Sequence, residues 1–152
     1  MTNKRLISNT STIIYQPLDQ IWTTISDFHD LSWCPNVISK CVALGETPGN
    51  TPGAKRIVDD VFSERLRSYN SDVHLMRYVI EQGPPPLASV EDLSVHIEMQ
   101  LKALTEHATE VIIFVNASAT QGETVPFCMN ICIQMIDDLR NTLQDQKQDQ
   151  NQ

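Results

Sequence analysis

Leu93-Ser94-Val95-His96-Ile97-Glu98-Met99-Gln100-Leu101-Lys102 alternates without a break. Leu93, Val95, Ile97, Met99 and Leu101 share one face, and Ser94, His96, Glu98, Gln100 and Lys102 share the other. This is the pattern of a strand packed on one side and wetted on the other. Thr109 to Ala117 repeats it, with Val111, Ile113, Val115 and Ala117 facing inward. The period then changes. Phe127, Cys128, Ile131, Cys132, Met135, Leu139 and Leu143 form an apolar stripe at helical spacing, on a helix that Pro126 begins.

Working towards the N-terminus, Phe62 to Tyr69 and Leu75 to Glu81 read as strands separated by the polar turn Asn70-Ser71-Asp72. Before them come Ser39 to Glu46, a Gly/Pro-rich connection that repeats Thr-Pro-Gly at Thr47 and Thr51, and Lys55 to Val58. Leu18, Ile21, Trp22, Ile25 and Phe28 fall at helical spacing after Pro17, and His29 to Trp33 reads as a second short helix stopped by Pro35. Ser8 to Tyr15, rich in Thr and Ile, reads as the first strand. The order strand, two short helices, about six strands and a long helix predicts an α+β antiparallel sheet with its helices on one face. Residues 1–143 make one domain. Residues 144–152 carry no apolar side chain and are expected to be a solvated, disordered polar tail.

Composition narrows the function. The chain has 152 residues, with 11 Lys+Arg against 19 Asp+Glu and a formal charge of −8. A chain this long buries roughly two-thirds of its unfolded surface and needs neither disulfide nor metal to fold. The negative balance argues against nucleic acid or anionic lipid as the main partner. No apolar run approaches the roughly 20 residues of a membrane helix, and the first residues lack the apolar core of a signal peptide. Cys34, Cys41, Cys128 and Cys132 in a chain that is not loop-rich suit a reduced, cytoplasmic setting. Ile112 and Phe114 point to the outer sheet face and allow a homodimer.

Register decides whether Arg56 and Glu64 meet. A two-residue turn at Asp59-Asp60 sets Val58 opposite Val61 and drives Arg65 and Arg67 inward, which is costly. A three-residue loop, Asp59-Asp60-Val61, sets Val58 opposite Phe62 and Arg56 opposite Glu64. Phe62, Glu64 and Leu66 then face the core, and Arg65 and Arg67 reach solvent. Since one slip turns every side chain to the other face, the apolar pattern selects the second register.

The ordered set Pro17-x4-Trp22-x4-Asp27-Phe28, Trp33-x-Pro35, Gly45, Pro52-Gly53-Ala54-x-Arg56, Glu64-Arg65-Leu66 and Tyr78-x-Ile80 before Pro86-Leu87 resembles the SRPBCC superfamily. This is the helix-grip fold of birch-pollen-type allergens, START lipid-transfer domains and polyketide cyclases. The resemblance covers almost the whole chain and points to the polyketide cyclase/dehydrase type. It implies a curved seven-stranded sheet wrapped around the C-terminal helix, with an apolar cavity between them. The plant abscisic-acid receptors are similar, but their longer gate loop and His-Arg-Leu latch have no counterpart at Asp59-Asp60 or Pro84-Pro85-Pro86-Leu87. The onion lachrymatory-factor synthase is similar in placing its functional arginine and glutamate in motifs that match Arg56 and Glu64.

Arg56 and Glu64 are therefore the candidate catalytic pair. Glu64 could exchange a proton with a ligand, and Arg56 could steady a carbonyl or enolate oxygen; the alternative is a structural cross-strand pair. Tyr78, Trp33, Phe62, Met76, Ile80, Val95, Ile97, Ile113, Cys128, Cys132 and Met135 are the candidate ligand-binding residues. His29, His74, His96 and His107 make no metal spacing with one another, and Cys128 and Cys132 read as fillers in the helix stripe, so neither metal nor cofactor is expected. Three functions stay open. The first is a cyclase, dehydratase or lyase acting on a small hydrophobic substrate, the second a non-catalytic carrier or sensor of such a molecule, and the third an interaction domain with a filled cavity.

Overall fold

The computed structural model of the chain describes residues 4–90 and 93–150. Seven strands form one antiparallel sheet: β1 (Arg5–Ile14), β2 (Cys41–Leu44), β3 (Lys55–Val58), β4 (Phe62–Asn70), β5 (Leu75–Gln82), β6 (Val95–Thr105) and β7 (Ala108–Ser118). Their order across the curved sheet is β1-β7-β6-β5-β4-β3-β2. Helix α1 (Leu18–Ile25) follows β1, and the long helix α2 (Thr124–Gln150) closes the chain.

The alternation in β6 and β7 becomes the wall of the core. Val95, Ile97, Met99, Leu101, Val111, Ile113, Val115 and Ala117 are all buried, while the intervening residues of β6 and β7 are at least partly exposed. Cross-strand pairing puts Ile97 opposite Val115 and Met99 opposite Ile113, so each buried side chain meets another on the same face. α2 lies against β1 and β7 and buries Cys128, Cys132, Met135, Ile136, Leu139 and Leu143. Polar bonds fix its position: Arg140 Nη1 donates to Thr12 Oγ1 at 3.0 Å, and Gln16 Nε2 donates to the Leu143 carbonyl at 3.3 Å. The polar face of β7 is less wet than its sequence suggests, since Ile112 and Phe114 are half-buried. The more exposed apolar residues of that region are Ile7 and Ile13 on the edge strand β1.

Two local expectations change. α1 takes Pro17 as its N-cap residue and ends at Ser26, whose N–H bonds the Trp22 carbonyl at 2.9 Å. The expected second helix is a series of turns. Asp27 Oδ1 accepts from the His29 N–H at 2.9 Å and Asp30 Oδ1 from the Ser32 N–H at 2.8 Å. Short acidic side chains of this kind satisfy backbone donors outside a helix, and Pro35 then removes a donor altogether. The turns are held to α2 by Asp138, which accepts from the Asn36 N–H and from Asn36 Nδ2, both at 2.8 Å. At the other end of the chain, α2 continues helically past Leu143 to Gln150, although the apolar stripe stops there. A helix already nucleated on packed residues extends at little cost through Gln, Asp and Lys. Residues 151 and 152 of the expected tail lie outside the described residues.

The duplicated Thr-Pro-Gly segments are not equivalent. Gly53 takes φ +100°, which side chains resist. Gly49 instead lies where an added Cβ would collide with the Asp27 carboxylate and crowd the Phe28 nitrogen. Its carbonyl accepts the Phe28 N–H at 3.0 Å. One glycine makes a turn, and the other lets the loop close onto the end of α1.

Candidate functional site

The β3–β4 hairpin carries the register that the apolar pattern selects: Val58 pairs with Phe62 and Arg56 with Glu64. Asp59 and Asp60 both adopt positive φ, at 51° and 61°, a conformation that Asp tolerates better than most residues. The Asp59 carboxylate also holds the preceding loop, accepting from the Ser39 and Lys40 N–H groups at 2.9 and 2.8 Å. On the next strand Leu66 pairs with Tyr78 and Glu64 with Ile80. Arg56, Glu64 and Tyr78 therefore project from three consecutive strands onto the concave face.

All three are buried, at 3%, 6% and 4% exposure. Arg56 donates from Nε to Glu64 Oε1 at 2.8 Å, its Nη2 lies 2.7 Å from the same oxygen, and its Nη1 donates to the Phe28 carbonyl at 2.8 Å. The guanidinium carbon sits 3.9 Å from the Phe28 ring centre and 4.7 Å from that of Tyr78. Those rings are tilted by 55° with centres 5.5 Å apart, so the cation rests in the angle between two aromatic faces. Burial by itself pulls the Arg56 pKa down, but Glu64 and Tyr78 outweigh it and the value rises above the usual arginine range. Burial, reinforced by Glu64, pushes the Tyr78 phenol well above its ordinary pKa. Tyr78 is thus a protonated hydrogen-bond donor at neutral pH. Glu64 Oε1 takes both guanidinium contacts. Among the described residues neither Glu64 Oε2 nor the Tyr78 hydroxyl makes a hydrogen bond, and neither is sealed from accessible space.

These groups face a cavity between the sheet and α2. Its lining includes Leu31, Arg56, Val58, Phe62, Glu64, Tyr78, Ile80, Ile97, Cys128, Ile131, Cys132 and Met135, with Ile38. Ile38, Phe62 and Ile131 are only half-buried and mark the side on which it meets solvent. The cavity volume is about 30 Å³, enough for about two water molecules. The hollow exists, but it is small. Nine of the sequence-derived candidates line it: Arg56, Glu64, Tyr78, Phe62, Ile80, Ile97, Cys128, Cys132 and Met135. Met76, Val95, Ile113 and Trp33 do not; they are core residues behind or beside it. Trp33 is 4% exposed, and among the described residues its indole Nε1 has no hydrogen-bond partner. Leu31, Ile38, Val58 and Ile131 were not among the candidates. Val58 and Ile131 follow from the β3 alternation and the α2 stripe, whereas Leu31 and Ile38 come from turns that carry no periodic signal.

The thiols are poorly activated. Burial pushes Cys34 and Cys128 up to about 12, with Asp138 adding to the first and Glu64 to the second, and raises Cys132 further still. Cys41, half-buried, is also raised, mainly by burial. A thiol reagent such as Ellman's at pH 8 is expected to label Cys41 first and the other three only on unfolding; rapid labelling of four thiols in the native protein contradicts this burial. The raised values also set an alkaline limit. The unfolded chain loses these protons near pH 9 and the folded chain keeps them until about 12, so stability is complete below 9 and falls as pH rises through that window. A denaturation midpoint that stays flat from pH 8 to pH 10.5 would contradict it.

His29 bonds the Lys55 carbonyl at 3.0 Å, and His96 lies on the outer face with its pKa lowered by burial and by Arg5. Among the described residues no three His, Cys, Asp or Glu side chains group as metal ligands, and no helix is long and apolar enough to cross a membrane.

No protein-family model matches the chain, and no curated protein matches it. Solved structures do. A protein of Nitrosospira multiformis is 26% identical with a TM-score of 0.83, over 90% of this chain and 94% of that one. The protein XoxI of Bacillus cereus is 20% identical with a TM-score of 0.70, over 93% and 97%. An uncharacterised protein of Bacillus thuringiensis is 17% identical with a TM-score of 0.67, over 90% and 97%. The likeness to the last two is one of fold, and none of the three is described with a ligand or a reaction.

Proposed function

We propose that this chain is a helix-grip protein of the SRPBCC type and that it binds a small molecule, apolar along its body and polar at one end, between the sheet and α2. The observation that carries the reading is the pair of unengaged oxygens, Glu64 Oε2 and the Tyr78 hydroxyl, in a buried lining that is otherwise mostly apolar. Both oxygens keep contact with accessible space, since among the described residues only Trp33 Nε1 is at once sealed and unpartnered, so each is free to bond a ligand group in place of water. The small resting volume means that a ligand larger than a few atoms displaces side chains. Met135, unbranched and adaptable, and the half-buried Phe62 are the ones able to move.

The same two oxygens favour a second reading, proton transfer on the bound molecule with Glu64 as the base. Arg56 would then position Glu64, with three of its N–H directions already committed. Native mass spectrometry of protein purified from its own cells tests the first reading. A co-purified small molecule that Phe62→Trp excludes is expected. Ligand-free protein that also fails to bind any small aromatic or aliphatic probe overturns it. With the ligand in hand, Glu64→Gln separates the two: binding without turnover supports catalysis, and unchanged chemistry removes it.

A further inference from the structure

We propose, building on the ligand-binding reading above, that the cavity selects a neutral molecule bearing a hydroxyl and rejects a carboxylate of the same shape. The charges decide this. Arg56 looks like an anion receptor, but Glu64 Oε1 meets it at 2.7 and 2.8 Å and the Phe28 carbonyl takes a third bond. The pair sums to zero, and the oxygen left facing outward from it belongs to the carboxylate. An incoming anion therefore meets Glu64 at close range in a weakly screened interior, and Arg56 has no uncompensated charge to offer.

Two of the five Arg56 N–H groups are uncommitted, but their charge is already balanced by Glu64; the remaining unused groups are the Glu64 Oε2 acceptor and the Tyr78 hydroxyl. Glu64 Oε2 accepts only, and the protonated Tyr78 hydroxyl donates as well as accepts. The two residues are diagonal neighbours on β4 and β5, since Glu64 pairs with Ile80 and Leu66 with Tyr78. A ligand hydroxyl satisfies both at once, giving its proton to Glu64 and taking one from Tyr78. A hydrocarbon satisfies neither, and it displaces whatever water does. The thiols of Cys128 and Cys132 are weak partners.

The test is a titration of the full chain at pH 7 with toluene, phenol and benzoate, which share a ring and differ in the head group, followed by NMR shifts of the cavity methyls. Phenol is expected to bind at least about tenfold more tightly than either of the others, the scale of one hydrogen bond to a charged group. Tyr78→Phe should reduce the phenol affinity several-fold and leave toluene unchanged. Glu64→Gln leaves Arg56 unneutralised, so benzoate should gain at least about tenfold on phenol. Benzoate or toluene binding the parent protein as tightly as phenol overturns the selectivity while the ligand-binding reading stands. Binding of none of the three, nor of cyclohexanol, overturns both. The order of the three probes on the parent protein decides the matter even if a variant fails to fold.

Discussion

Arg56→Leu is expected to lower the unfolding free energy by about 3–5 kcal/mol, because it strips the partner from a carboxylate that is 6% exposed. Glu64→Leu leaves the opposite orphan, but a less severe one, since Arg56 keeps the Phe28 carbonyl and two aromatic faces. The double replacement removes both charges and fills the space with apolar volume. It should cost far less than the two single changes added together, with a coupling of at least about 2 kcal/mol in a urea-denaturation cycle. Additivity within about 0.5 kcal/mol would mean that the two side chains do not depend on each other, and both the site geometry and the selectivity argued from it would fail. Destabilisation alone does not assign function. The double variant therefore serves a second purpose: a folded protein with no charge in the cavity should keep only the part of its preference for a hydroxyl over a methyl group that Tyr78 supplies.

The parts of this structure legible in the sequence are those in which each residue has two choices and burial decides. Alternation in β6 named every buried residue from Val95 to Leu101, and the cost of turning Arg65 and Arg67 inward fixed the β3–β4 register to the residue. What escaped was non-periodic. Residues 27–38 satisfy their backbone through Asp27, Asp30 and Asp138, and no spacing rule distinguishes that from a short helix ended by Pro35. Leu31 and Ile38 reach the cavity from this segment, so they went unseen for the same reason.

The site was legible to the depth of facing direction and no further. That Glu64 and Tyr78 point inward follows from strand period. That Phe28 takes a bond from Arg56 through its carbonyl and lies against it through its ring follows from where α1 ends, which the sequence placed three residues late. Cavity size was equally out of reach. The hollow is the small difference between a curved sheet and the side chains that fill it, and residues such as Val95 and Ile113, rightly read as inward, contribute to the filling.

Phe28→Ala carries the second large expected effect, about 3–5 kcal/mol. The residue is completely buried, and its ring meets both Tyr78 at 5.5 Å and the Arg56 guanidinium at 3.9 Å. Its backbone is tied independently, through the N–H to Gly49 and the carbonyl to Arg56, so truncation should remove packing without releasing the loop. Phe28→Leu separates the contributions. It retains most of the apolar volume and loses the aromatic face, and a cost of about 1–2 kcal/mol is expected. If the ring acts mainly as a platform for the cation, Phe28→Leu should cost almost nothing further in the Arg56→Leu/Glu64→Leu background, where no cation remains. An undiminished cost there would assign the ring to the hydrophobic core alone. A Phe28→Ala penalty below about 1 kcal/mol would show that the ring contributes little packing, and Arg56 would then owe its burial to the sheet.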